Sequence, residues 1–310
     1  MSADQYQAEC DVVIVGGSNA GLSAALQLGR ARRRVLVYDT GTPVNAPAYE
    51  SHGFFTRDGT APAELLAIGR AQLRPYATVE LRQIAVIGAE RDGDGDGFHV
   101  TLADGMTVST RAILLATGGT AILPPIEGIA ERWGVSVNSC PYCHAYEVRD
   151  EPLAVLSSGD MSFHYAMMIA HWSRDLVFCT DGPAGLTEDQ QRTLATREIR
   201  VIEEKITRLE GDGRELERIV FANGTRLPRH ALFFRPQWRQ HSDLAAQLGC
   251  TLTADGSVQV DRQGLTSVQW VYAAGDMAHL PVQNLAVAVA EGALAGMMLN
   301  NMLIFAEVSH

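Results

Sequence analysis

The apolar positions of this chain fall into two rhythms that repeat along its length. Val12 to Val15 form a continuous β-branched run, as expected of a strand buried on both faces of a parallel sheet. Leu22, Ala25, Leu26 and Leu28 then recur at helical spacing, and Val35 to Tyr38 read as a second strand ending in Asp39. The same strand–turn–helix–strand order returns downstream, with strands at Leu153–Leu156 and Leu176–Cys179. Arg111 to Gly119 is a buried strand that runs into a small-residue turn, Ala116-Thr117-Gly118. Val268 to Ala278 reads as a strand whose end carries Gly275 and Asp276. The longest apolar stretch, Asn284 to Phe305, is interrupted by Glu291, Asn300 and Asn301, and is expected to be a buried helix rather than a membrane span. Arg91 to Gly97 reads as a hairpin turn.

The first βαβ unit carries candidate chemistry. Its glycine turn fits a G-x-G-x-x-G frame at Gly16, Ser18 and Gly21, with serine in the middle place. Asp39 stands eighteen positions after Gly21, a spacing at which a carboxylate can hold a ribose hydroxyl. The frame alone is weak; the strand before it, the helix after it and the distal acid make dinucleotide binding the favoured reading. Asp276, an acid after a glycine at a strand's carboxyl end, can likewise reach a ribose or ribityl hydroxyl.

Composition narrows the classes. The chain has 310 residues, 46% of them hydrophobic and 20% charged, which suits a globular protein of two domains. A net charge of −11 argues against nucleic-acid or anionic-membrane partners. The one basic run, Arg30 to Arg34 interrupted by Ala31, sits where a surface helix would end, so helix-dipole placement and solvation explain it. No secretory leader is read at the amino terminus. Five cysteines, an odd number, suit a reducing cytoplasm.

Two of those cysteines, Cys140 and Cys143, form a C-x-x-C in "SCPYCHAYE". Such a pair can be half of a zinc site or a redox dithiol. A zinc site needs four ligands, and Cys10, Cys179 and Cys250 are scattered singly, so no metal is expected. A helix beginning near Cys140 would stabilise a thiolate there, and Pro141 is tolerated in such a first turn. His144, four residues after Cys140, could shuttle a proton near neutral pH, and Glu147 could orient it.

The order of these pieces along the chain resembles the low-molecular-weight thioredoxin reductases, class II pyridine nucleotide-disulfide oxidoreductases. "CPYCHAYE" and Phe233 to Cys250 look closest to a branch lacking an NADPH site, which includes dithiol oxidases of gliotoxin and holomycin type. The resemblance implies an α/β fold of two Rossmann-like three-layer domains. A discontinuous FAD domain, residues 1–117 plus 246–310, would receive an inserted NADPH-type domain, residues 118–245, carrying the C-x-x-C. FAD would be held by Gly16, Ser18, Gly21, Asp39, Ala116, Thr117, Gly118, Gly275, Asp276, Gln283 and Asn284. The last two open a helix whose positive end suits a reduced flavin. Cys143 would face the flavin, Cys140 would exchange with substrate, and His144 would move the proton. His52 corresponds to a loop near the flavin, though a lone histidine is more often a polar surface residue. The implied partners are a small-molecule dithiol or a thioredoxin-like protein, and the implied assembly is a homodimer.

The second βαβ unit departs from the family pattern. Its frame reads Ser157, Gly159 and Ser162, with Asp160 putting a carboxylate where a pyrophosphate would lie. After the second strand come Asp181, Glu188 and Asp189, and no arginine until Arg192, where a 2'-phosphate would need guanidinium groups. The expectation is a flavin-dependent thiol–disulfide oxidoreductase that works without NADPH. An NADPH-dependent reductase with a divergent site and a non-catalytic flavin-containing redox sensor are the alternatives. Phe163, His164, Tyr165 and Trp172 could line a substrate pocket, but at this spacing they read first as core.

Overall fold

The computed structural model describes residues 9–93, 97–279 and 283–308. The chain begins with β1 (Cys10–Val15), α1 (Asn19–Arg30), β2 (Val35–Tyr38), α2 (Pro62–Leu73), β3 (Val79–Arg82), β4 (Val86–Arg91), β5 (Phe98–Leu102) and β6 (Thr107–Leu115). It continues through β7 (Gly119–Ile122), α3 (Ile129–Arg132), β8 (Val137–Asn138), α4 (Pro141–His144), β9 (Leu153–Leu156), α5 (Ser162–Ile169), β10 (Leu176–Cys179) and α6 (Glu188–Thr196). Then follow β11 (Arg200–Ile202), β12 (Ile206–Glu210), β13 (Arg218–Phe221), β14 (Arg226–Pro228), β15 (Ala231–Phe234), β16 (Gln237–Gln240), α7 (Leu244–Gln247), β17 (Val271–Ala273) and α8 (Leu285–Val308).

Two compact units result. The first takes residues 1–44, 63–120 and 238–310; the second takes 45–62 and 121–237, so a stretch that the sequence reading kept in the first domain packs with the middle of the chain. The paired strands β7 and β16 contain the points where the chain changes unit.

In the first unit the sheet runs β3-β2-β1-β6-β5-β4, with β17 also pairing β6. β1 is parallel to both β2 and β6, with Val13 opposite Leu36 and Ile113. This central place explains the unbroken apolar run. Val12 and Ile14 face α1 and α8, while Val13 and Val15 face the opposite side with α7 and β5. Each such fully buried Val or Ile contributes roughly 1.5–3 kcal/mol. β4 and β5 pair antiparallel and Asp92 N–H donates to Gly97 at 3.0 Å, which frames the expected hairpin; its tip, residues 94–96, lies outside the described residues.

The terminal helix α8 is long and apolar enough by length and composition to cross a membrane. Its buried stripe, Ala288, Gly292, Ala295, Gly296, Leu299 and Leu303, packs on α1 and the sheet. The approach to α1 is so close that a side chain on Gly292 would start 2.0 Å from the Ala20 carbonyl oxygen. The helix is one-sided rather than fully buried, since Met297, Ile304 and Phe305 are exposed. The basic run is also more engaged than expected. Arg33 ties to Asn300 at 2.8 Å and to Glu307 at 2.6 Å, and Arg111 joins the same carboxylate.

The second unit has a parallel sheet in the order β11-β10-β9-β15-β8 and a separate antiparallel sheet β12-β13-β14. Ala154 and Val177 face the antiparallel sheet, while Leu153, Val155 and Phe178 face α5 and α6. That is a three-layer arrangement of sheet, sheet and helices. Tyr165 is buried, and Phe163 and Trp172 pack on the same cluster, so these three are core. His164 is exposed.

Candidate active site

In the first unit the end of β1 turns at Gly16 with φ +109°, and a methyl there would lie 2.2 Å from the Ala116 carbonyl. A methyl on Gly21 would lie 1.8 Å from the Gly16 carbonyl, so the turn, β6 and α1 close on one another only with glycine at both places. Gly17, which sequence reasoning passed over, is equally confined: its missing side chain makes room for Asp39, 2.7 Å away. The doubled glycine was the signal available for it.

Helix α1 starts at Asn19, with no acid in its first turn and no side chain capping from Ser18. Its first N–H groups and positive dipole end therefore remain available to an anion. A cavity of about 260 Å³ adjoins this turn, lined by Gly16, Ser18, Asp39, Ala116 and Thr117 together with Tyr38, Thr40, Thr42, His241 and Ser242. Arg70 donates to Asp39 Oδ2 at 2.9 Å. Gly118 follows with φ +70°, and its carbonyl accepts from His241 N–H at 3.2 Å. The His241 ring and Thr120 Oγ1 lie 2.9 Å apart. His241 and Ser242 lie within the Phe233 to Cys250 segment that carries the resemblance, but no role is read for them there, because only the chain's return to this unit brings them to the β1 turn.

β17 is shorter than its sequence suggested, because the chain turns at Trp270 with φ +71° just before it. Its end delivers Gly275 to within contact distance of α1 and α8: a methyl there would lie 3.0 Å from Ala20 Cβ and 3.6 Å from Ala288 Cβ. Gly275 N–H donates to Glu291 Oε2 at 2.9 Å, and the other oxygen of Glu291 lies 2.9 Å from His279. Burial, with Glu291's charge behind it, pushes the Asp276 carboxyl up to about 6. α8 begins at Leu285, where Asn284 Oδ1 accepts from Ala286 N–H at 2.9 Å and from Val287 N–H at 3.3 Å. Gln283 Nε2 is buried without a hydrogen-bond partner among the described residues.

In the second unit Cys140 and Cys143 are joined as a disulfide, with their Cα atoms 5.3 Å apart. Cys140 caps α4, Pro141 occupies its first turn, and Cys143 N–H donates to the Cys140 carbonyl at 3.2 Å. The helix is a single turn that ends at His144. Burial, and second the nearby His52, push His144 down to about 4, so its imidazole is neutral at neutral pH. Glu147, expected to orient His144, lies 3.5 Å from the His52 ring. His52 itself is no free surface residue: Glu50 and Asp58 stand 3.4 and 3.7 Å from it. Upstream, the buried Tyr165 hydroxyl donates to the Ser139 carbonyl at 2.8 Å, which pins the entry to the cysteine turn. Tyr142 and Tyr146 flank the disulfide and are exposed. Cys10, Cys179 and Cys250 are buried free thiols, and burial pushes Cys10 to about 11 and Cys179 to about 12. They are poor thiolates. Among the described residues, no cluster of His, Cys, Asp and Glu could hold a metal ion.

The second βαβ turn is open. Gly159 has φ +80°, and a methyl on it would meet no atom within 4 Å. Asp160 is exposed. Asp181 accepts from Ile206 N–H at 2.9 Å, and Glu203 from Ala184 N–H at 2.8 Å. Glu188 and Asp189 stand in the first turn of α6, where they favour its dipole, and both pair with Arg192.

A family model described as pyridine nucleotide-disulphide oxidoreductase matches residues 10–292. A thioredoxin reductase of Claviceps purpurea, tcpT, is 30% identical over 306 residues, covering 95% of this chain and 94% of its own. Among solved structures, TrxB of Bacillus anthracis matches with a TM-score of 0.92 at 32% identity, covering 96% of this chain and 99% of its own. HlmI matches with a TM-score of 0.90 at 39% identity, covering 96% and 94%.

Proposed function

This chain belongs to the pyridine nucleotide-disulphide oxidoreductase family, and we propose that it exchanges electrons between a substrate dithiol and FAD through Cys140 and Cys143, without NADPH. It is an oxidoreductase of the thioredoxin reductase kind, and its cofactor is FAD. The first unit's residues fit that cofactor. The glycine turn leaves backbone N–H groups for the pyrophosphate, and Asp39 is at hand for a ribose hydroxyl. Asp276 is a desolvated acid and Gln283 Nε2 a buried donor, and both are polar groups that a bound ligand would satisfy.

The observation that carries the proposal is the disulfide at the start of α4. One thiol of the substrate attacks Cys140 Sγ, which breaks the Cys140–Cys143 bond and leaves Cys143 as thiolate. His144, neutral at working pH, takes the proton from the incoming thiol. The second substrate thiol then attacks its own mixed disulfide, releasing the cyclised substrate and the Cys140 thiol. FAD, when bound, supplies a two-electron relay from the resulting dithiol to an acceptor such as dioxygen. Run in reverse, the same exchange would reduce a thioredoxin-like partner.

The omission of NADPH is supported by the second turn, where Asp181 and Glu203 are engaged with backbone and Arg192 with its own helix. The same reading includes a reducing cytoplasm, for which the three unpaired buried cysteines speak. It also includes a homodimer, for which the exposed apolar side chains of α8 offer surface and which sedimentation velocity would detect.

The test is to expose the FAD-loaded protein without oxygen to NADPH, NADH and dithiothreitol in turn, then to admit oxygen and count turnovers. Dithiothreitol should bleach the flavin and oxygen should restore it over many cycles. Rapid bleaching by micromolar NADPH would overturn the proposal, and a single reduction without turnover would make the protein a sensor. Cys143→Ser should keep FAD and lose reduction by dithiothreitol.

A further inference from the structure

The stretch Gln240-His241-Ser242 follows the chain's return to the first unit, and it straps the turn that begins at Ala116. His241 N–H donates to the Gly118 carbonyl at 3.2 Å, and its ring Nδ1 lies 2.9 Å from Thr120 Oγ1. Ser242 Oγ donates to Thr117 Oγ1 at 3.3 Å. Gln240 anchors the strap, donating from Nε2 to the Gly256 carbonyl at 2.8 Å and the Met277 carbonyl at 2.9 Å. His241 is thus held through both its backbone and its ring. The residue is exposed, and among the described residues its Nε2 has no hydrogen-bond partner.

His241 and Ser242 border the same cavity of about 260 Å³ as Gly16, Ser18 and Asp39. FAD joins its two halves through a dianionic diphosphate, which needs donors wherever it is taken out of water. Among the described residues no Lys or Arg lines this cavity, and Arg70, beside it, is paired with Asp39 at 2.9 Å. Ser242 gives its hydroxyl proton to Thr117, and Thr117 gives its own to Met277 Sδ at 3.6 Å. Neither hydroxyl is left to donate to a phosphate oxygen. Besides the first N–H groups of α1, the basic side chain in the lining is His241.

We propose that His241 is a diphosphate-binding residue of the cofactor site, with Thr120 as its positioning residue. The Thr120 hydroxyl donates to Nδ1, which fixes the neutral tautomer with its proton on Nε2. That N–H donates to a diphosphate oxygen of FAD, a bond to a charged acceptor and therefore of the stronger kind. The start of α1 supplies backbone N–H groups to the same anion. His241 acts here as a neutral donor, so the bond requires no change in its charge. The proposal rests on FAD as the cofactor and stands apart from the dithiol chemistry at Cys140 and Cys143. Failure of either leaves the other standing.

The test measures binding of FAD, ADP and adenosine to the flavin-free full-length protein by isothermal titration calorimetry. ADP keeps the diphosphate and adenosine lacks it. His241→Phe keeps a flat ring without a donor; it should weaken FAD and ADP by about 10-fold and leave adenosine unchanged. Thr120→Val, which removes the brace, should weaken ADP by about threefold, and Thr120→Ser should bind it as wild type does. In the His241→Phe background Thr120→Val should add nothing, because the two residues act through one bond. Wild-type affinity for ADP in His241→Phe would overturn the proposal. So would an equal loss for ADP and adenosine, which would make the ring a mere wall of the cavity. Wild type binding ADP no more tightly than adenosine would overturn it as well. If Thr120→Val weakens ADP equally with and without the imidazole, Thr120 loses its positioning role. Where His241→Phe does not fold, the contrast between Thr120→Val and Thr120→Ser, read with ADP against adenosine, decides the same question.

Discussion

The chain contains the same strand–turn–helix–strand unit twice, and the two copies differ in what their turns are built to do. In the first, Gly16 and Gly21 are locked against Ala116 and against each other, so that α1 presents bare N–H groups beside a cavity. In the second, Gly159 meets nothing within 4 Å, although Leu153, Ala154, Val155 and Leu176–Cys179 are as deeply buried as their counterparts. The carboxylates differ in the same way. Asp276 is desolvated with Glu291's charge beside it, whereas Asp181 is consumed by Ile206 N–H. Packing and ligand chemistry are thus separable. The framework survives on burial alone, while a close-packed glycine turn beside a cavity needs particular residues at a few backbone positions.

The comparison can be broken most decisively at its glycines. Gly21→Val should abolish FAD retention, since its Cβ would start 1.8 Å from the Gly16 carbonyl, with overpacking of about 1–3 kcal/mol on top; flavin absorbance after gel filtration reads the outcome. Retention of flavin by that variant would mean the first turn is no cradle.

The next effect is pH-dependent. The folded Asp276 carboxyl, raised from 3.8 to about 6, holds its proton more tightly than the unfolded one does. Its contribution to stability is full below about pH 4 and is lost as pH rises through about 6. Calorimetry of the flavin-free protein should therefore show Asp276→Asn equal to wild type near pH 4 and more stable at pH 7, by up to roughly 3 kcal/mol. A pH-independent difference would remove the desolvated acid from the first site.

Asp181→Ala should cost about 2 kcal/mol through the lost hydrogen bond to Ile206 and the left-handed backbone at that position, φ +54°, read as a lower Tm. Reduction by dithiothreitol should be unchanged. Smallest of all, Gly159→Ala should cost about 1 kcal/mol for its positive φ and leave flavin content and turnover alone. An NADPH-driven activity that fell in either variant would restore a ligand role to the second turn.

Much of this was legible in one dimension because it rests on local periodicity. Leu153–Leu156, Leu176–Cys179 and Val35–Tyr38 occupy the spans their apolar runs suggested, and α1 carries the expected buried stripe. A strand buried on both faces has few ways to be written. Less legible were elements ended by a single backbone reversal, such as β17, cut short by the turn at Trp270.

The sequence by itself determined the α/β class, the two βαβ units, the dithiol and the character of each turn, since each follows from residues near one another along the chain. Only the tertiary structure decided what meets across long separations. It brought His241 and Ser242 to the β1 turn, seated α8 against α1 through Gly292, and joined residues 45–62 to the middle unit. It also moved Glu147 from its expected partner His144 to His52, 95 positions earlier in the sequence. The physical reason is that burial and Coulomb forces act through space, whereas a sequence pattern reports only the neighbours a helix or strand will bring together.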